Sequence, residues 1–217
     1  MNHNKKFQPK SQSFNKNRET TDKNNLNAEI NSGHKSVLDF LHDLILVVLI
    51  LFLLLSVFFR AVVVSGPSMK NTLYDGDYLI LLSSTFYRNP QRGDIIVVNK
   101  NSFDDGSPII KRVIATEGQK VDIDFEAGVV FVDDIPLDEP YTLTPTNLRE
   151  GMSFPLTVEE GCVFALGDNR NESKDSRSTE IGQIDNREIV GKVIFLMLPG
   201  TDGGKIERDF KRIGSVS

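Results

Sequence analysis

Sixteen consecutive residues, Leu44 to Phe59 (LILVVLILFLLLSVFF), carry no charge and only one polar side chain, Ser56. A helix built from them is apolar on every face, which suits lipid and not the surface of a water-soluble core. At ~1.5 Å per residue the run is about 24 Å long, a little short of a ~30 Å hydrocarbon layer. Phe40, Leu41 and His42 extend it backward, and Arg60 can snorkel at its far end. A cleaved signal peptide also has an apolar core, but over forty residues precede this one and it exceeds the usual ~7–15 residues. The expectation is an uncleaved transmembrane anchor over residues 37–60.

The flanks differ in charge. Residues 1–36 carry seven Lys/Arg against three acids and are rich in Asn, Lys, Ser and Gln. They have too few apolar side chains to bury a core and read as a disordered basic tail. By the charge rule this tail stays in the cytoplasm, giving a single-pass protein of the cell membrane with residues 61–217 outside. From Ala61 onward 17 basic residues face 25 acidic ones, a net of −8. Such a domain repels phosphate backbones, so nucleic acid is not an expected partner.

Scarce residues narrow the chemistry further. The one cysteine, Cys162, cannot form an intrachain disulfide or a cysteine zinc cluster. His3, His34 and His42 all precede the apolar run, so the domain beyond it has no histidine. A Ser–His–Asp triad, a Cys–His pair and a histidine metal site are excluded there, and no metal or other cofactor is expected. Proton transfer falls to lysine, a carboxylate or tyrosine.

After Arg60 the pattern turns to short β-rich runs: AVVV, DYLILL, DIIVV, PIIKRVIA, VVFVD, CVFAL and REIVGKVIFLML. Clusters of Gly, Pro, Asn and Asp separate them. The spacing predicts a mainly β domain over 61–217, with an antiparallel coiled or barrel-like sheet.

Three segments carry groups able to do chemistry. In SGPSMKNTL, Gly66 and Pro67 set a turn before Ser68, which lies only four residues beyond Val64. In PIIKRVIATEGQKV, alternation puts Lys111 with Ile109 and Val113, and Arg112 with Ile110 and Ile114. One of these cations is directed toward apolar surroundings, and alternation does not say which. A buried lysine loses its charge readily and can then take a proton from a hydroxyl. In LGDNRNESKDSR, the pairs Asp168 with Arg170 and Asp175 with Arg177 predict a hydrogen-bonded framework.

Together, the blocks GPSMKNTL, RGDIIVV, KRVIATEG and GDNRNESKDSR, in that order, resemble bacterial type I signal peptidases of the short, single-anchor Gram-positive type. The resemblance spans the anchor and nearly all of residues 61–198. It implies a β catalytic core with Ser68 as nucleophile, Lys111 as general base and Ser173 as the hydroxyl that orients the lysine. It also implies Asp175 and Arg177 as a structural salt bridge, with Asp168 in the same framework. The backbone N–H of Ser68 matches an oxyanion donor; Gly66 stands where some relatives place a second, side-chain donor, which leaves a backbone N–H or water for that role in the oxyanion hole. Val64, Met69, Leu73 and Ile110 match pocket residues for small side chains at substrate positions −1 and −3, hence Ala-x-Ala selectivity. Asn71 replaces a common proline, and ATEGQ a common glycine–leucine–proline–glycine run.

The implied function is a membrane-bound serine endopeptidase that removes signal peptides from exported pre-proteins, partnered by those pre-proteins and the lipid bilayer. Self-cleaving repressor-type Ser–Lys peptidases share the dyad but carry a DNA-binding module in place of an anchor. A catalytically dead, chain-binding relative is expected to lack Ser68 or Lys111. A relative dedicated to one substrate, such as a pilin, keeps both.

Overall fold

The computed structural model describes residues 37–100, 107–201 and 208–216; the basic tail 1–36 lies outside them. The chain divides into two compact units, Met1–Leu54 and Leu55–Ser217. Helix α1, Val37–Phe58, is long and apolar enough to cross a membrane, and none of it is buried. Its 22 residues reach about 33 Å at ~1.5 Å per residue, a full hydrocarbon thickness. The helix stops two residues earlier than the sequence predicts. Phe59 and Arg60 are already in a strand, opposite Leu82 and Leu81, because FRAVV is rich in aromatic and β-branched residues and finds a partner.

The second unit is mainly antiparallel β. Its strands are β1 (Phe59–Val63), β2 (Tyr78–Ser83), β3 (Ile95–Val98), β4 (Ile109–Thr116), β5 (Lys120–Asp124) and β6 (Val129–Val132), then β7 (Ile135–Pro136), β8 (Leu156–Thr157), β9 (Cys162–Leu166), β10 (Ile184–Asp185), β11 (Ile189–Leu198) and β12 (Gly214–Ser215). The larger sheet runs β1-β2-β11-β3-β4-β9-β10, with β12 added to β11; the smaller runs β7-β6-β5-β8. Each long apolar run of the sequence is a strand. The charged KVDID of β5 and the two-residue strands carry little apolar signal and escape a reading by hydrophobic runs.

Burial explains the order. Every residue of β3, IIVV, is buried: Ile95 and Val97 join one core cluster with Val64, Met69, Leu73 and Ile110, while Ile96 and Val98 join another with Val113 and Ala165. A strand covered on both faces reads as an unbroken apolar run. A third cluster, around Val121, Val130 and Phe164, ties the smaller sheet to β4 and β9. Register shifts in β11, between Val193 and Phe195 and between Leu196 and Leu198, bend that strand, and the sheet curls into a half barrel.

The curl sets up the site. In a flat sheet β1 and β4, four places apart, lie about 19 Å from each other at ~4.8 Å per strand. Curling, together with the loop that connects β1 to β2, closes that gap.

Candidate active site

The loop from Val64 to Asp77 is closed at its base by backbone bonds: Val64 N–H donates to the Asp77 carbonyl and Gly76 N–H to the Val64 carbonyl, both at 2.9 Å. Inside it, Thr72 and Leu73 N–H groups donate to the Met69 carbonyl, making one helix-like turn. Met69 and Leu73, both buried, hold that turn to the core. Gly66 sits at φ +87°, a conformation glycine takes without penalty. Ser68 thereby stands at the head of the turn, half-buried.

Lys111 comes from β4, where its Cα pairs with Ile96 of β3. It is 3% exposed. Its Nζ donates to Ser68 Oγ at 2.9 Å and to the Ile110 carbonyl at 3.0 Å. Among the described residues no carboxylate forms an ion pair with it. Burial pushes its pKa down to about 8, against the pull of Asp175, Glu150 and Asp168. A buried ammonium bonded only to neutral acceptors gives up its proton easily.

Arg112, next in β4, is equally buried, and Asp168 meets it with two bonds, Nε–Oδ1 and Nη2–Oδ2, both 2.9 Å. The structure therefore buries both cations, not one of the two. It also re-pairs the framework: Asp168 binds Arg112, not Arg170, since Arg112 lies directly opposite Leu166 at the end of β9. Arg170 turns away to Glu139, at 2.8 and 2.6 Å, and to Thr146. Asp175 and Arg177, both fully buried, form a two-bond ion pair at 2.8 and 2.9 Å.

This framework grips the serine loop. Asp168 accepts from the Thr72 hydroxyl at 2.5 Å, and Asn169 donates from its N–H to the Ser68 carbonyl at 3.0 Å and from its side chain to the Pro67 carbonyl at 3.2 Å. Asp175 accepts from the Gly167 N–H at 3.0 Å. Gly167 is forced by space: a Cβ there falls 2.1 Å from Ser173 Oγ and 2.5 Å from the Ser68 carbonyl oxygen. Asn169, Gly167 and Glu139 were not singled out by the sequence, and Arg112 was named there without this role. Only Arg112 left a trace, as a cation in an apolar strand.

Three predicted residues stand differently from expectation. Ser173 is buried beside Gly167, but its Oγ has no hydrogen-bond partner among the described residues, Lys111 included. The Gly66 N–H donates to Asp75 Oδ1 at 2.9 Å, so that donor is already engaged. Leu73 is fully buried beneath the loop and does not line the cleft. The cleft itself, about 310 Å³, is walled by Val64, Met69, Ile110, Ser68 and Lys111, with Val63 and Pro108 alongside. Among the described residues no group of His, Cys, Asp and Glu can hold a metal ion.

The antiparallel β domain buries a lysine against a serine hydroxyl and contains no histidine. The family model described as "Signal peptidase, peptidase S26" matches residues 37–198, and the chain belongs to that family. It is similar to "Probable signal peptidase I-1" of Synechocystis sp., 36% identical over 75% of this chain and 84% of that one. It is also similar to signal peptidase I of Bacillus caldolyticus, 35% identical over 65% of this chain and 80% of the relative. A solved signal peptidase I from Enterococcus faecalis V583 aligns at 29% identity and a TM-score of 0.39, covering 48% of this chain and 96% of that one. The chain is accordingly a hydrolase, a serine peptidase of the signal-peptide-removing kind.

Proposed function

We propose that the chain cleaves exported pre-proteins after a small residue, with Ser68 as nucleophile and Lys111 as general base. The observation that carries this reading is the 2.9 Å contact between Lys111 Nζ and Ser68 Oγ inside an apolar cleft. Neutral Lys111 takes the hydroxyl proton as Ser68 Oγ attacks the substrate carbonyl. The ammonium so formed then protonates the leaving nitrogen, and the regenerated amine activates the water that hydrolyses the acyl-enzyme.

The oxyanion needs an N–H donor aimed at it. The Ser68 N–H suits this, having no partner among the described residues, while the Gly66 N–H is engaged by Asp75. Ser173 is assigned as the hydroxyl that steadies the lysine. Its buried Oγ, left without a partner beside the Ser68 carbonyl, is open to accept from an ammonium formed during the cycle. Val64, Met69 and Ile110 narrow the cleft and favour small residues at −1 and −3, which is Ala-x-Ala selectivity.

α1 is assigned as the membrane anchor, with the basic tail in the cytoplasm and the β domain outside. Exposed Phe59, Val63 and Tyr78 on β1 and β2 give the domain an apolar face that suits a bilayer surface. A tethered enzyme and a tethered substrate meet at raised local concentration.

The test is cleavage of a signal-peptide-bearing precursor by detergent-solubilised protein, with sequencing of the new N-terminus. Ser68→Ala and Lys111→Ala are each expected to remove nearly all cleavage. Lys111→Arg is expected to fail too, because guanidinium stays protonated. Substantial turnover by either alanine variant would sink the dyad.

A further inference from the structure

The serine loop is held from two directions, and the framework around Asp168 accounts for only one of them. The other hold comes from residues 208–216, beyond the 37–198 matched by the family model. Arg212 reaches into the loop with a two-bond ion pair to Asp77, Nη1–Oδ1 at 3.0 Å and Nη2–Oδ2 at 2.6 Å. Its Nη2 also donates to the Thr72 carbonyl at 3.3 Å, and its guanidinium lies 4.2 Å over the Tyr74 ring. Asp77 is fully buried and accepts in addition from the Tyr74 N–H at 2.8 Å and the Gly200 N–H at 2.6 Å. Thr72 is where the two holds meet, its hydroxyl on Asp168 and its carbonyl on Arg212. Gly200 packs so closely that a Cβ there falls 2.0 Å from the Asp75 carbonyl oxygen.

We propose that Arg212 is a positioning residue for peptide cleavage, its guanidinium clamping the loop from Thr72 to Asp77 so that Ser68 stays within reach of Lys111. The proposal rests on the dyad reading given above. Arg212 touches neither Ser68 nor the cleft; it acts through Thr72 and Asp77. The segment that carries it has anchors of its own. β12 pairs with β11, Val216 packs against the core, and Arg208 donates to the Pro199 carbonyl at 2.9 Å. Loss of the Arg212 side chain therefore leaves the segment attached and releases its hold on Thr72 and Asp77. A displacement of about 1 Å at a reacting atom can cost roughly a hundredfold in rate.

The experiment measures kcat and KM on the signal-peptide-bearing precursor for full-length Arg212→Ala, Arg212→Lys and Arg208→Ala, per mole of protein shown by circular dichroism to be folded at the assay temperature. Arg212→Ala is expected to lower kcat by about tenfold to a hundredfold with KM within about twofold, because loosened positioning weakens the transition state and not substrate binding. Arg212→Lys keeps a charge on Asp77 but loses the planar fork, so it recovers part of kcat. Arg208→Ala, in the same segment but without contact to the loop, keeps the wild-type rate. A wild-type kcat for Arg212→Ala overturns the clamp, as does an equal loss in Arg208→Ala. If Arg212→Ala does not fold, Arg212→Lys decides: reduced kcat at unchanged KM supports the clamp, and an unchanged kcat overturns it. Ser68→Ala in the same assay separates the two readings, since cleavage by that variant removes the dyad whatever Arg212 does.

Discussion

Lys111 and Arg112 are neighbours in β4 and are buried alike, yet they meet different partners. Arg112 has a carboxylate on its fork. Among the described residues Lys111 bonds to Ser68 Oγ and the Ile110 carbonyl alone, and burial brings its pKa down to about 8. The base form is the neutral amine, so it is scarce below that pH and abundant above it. The pH profile of kcat/KM is expected to rise through an inflection near 8. The nearby Glu150 carboxylate raises the Lys111 pKa. Glu150→Gln is therefore expected to move the inflection to lower pH, and a profile unmoved or shifted upward contradicts that account.

The element that fixes the site is the stretch 167–177 after β9, which places two buried ion pairs, Arg112–Asp168 and Arg177–Asp175, behind the reacting groups. Breaking a buried pair on one side strands a charge, at a cost of about 3–5 kcal/mol. Asp168→Ala is expected to destabilise by that order in denaturant unfolding. The double variant Asp168→Leu/Arg112→Met is expected to recover much of the loss, since it leaves no buried charge. Similar destabilisation in both proteins would remove the stranded-charge explanation. The strands with apolar runs were legible in the sequence because burial on one or both faces writes itself as Ile, Val and Leu. The pairing of Asp168 was not, because a charged side chain chooses its partner in space; Arg170 is two residues away and Arg112 is fifty-six. The engagement of Gly66 by Asp75, and the unpartnered hydroxyl of Ser173, likewise depend on the closure of a loop and leave no mark in residue type.

At the scale of the whole molecule, the chain has one cysteine, and its three histidines all precede residue 43. The reading of a metal-independent hydrolase predicts that excess chelator leaves precursor cleavage at its untreated rate; a loss restored by a divalent ion would overturn it. The sheet order makes one late strand the link between the two halves of the site. β11 lies between β2 and β3, so until Ile189–Leu198 has been made and threaded into place, the strand leading to Ser68 and the strand bearing Lys111 belong to separate hairpins. Ile189–Leu198 is thus the strand that joins the two hairpins into one sheet, and its loss would part the β1–β2 half of that sheet from the β3–β4 half.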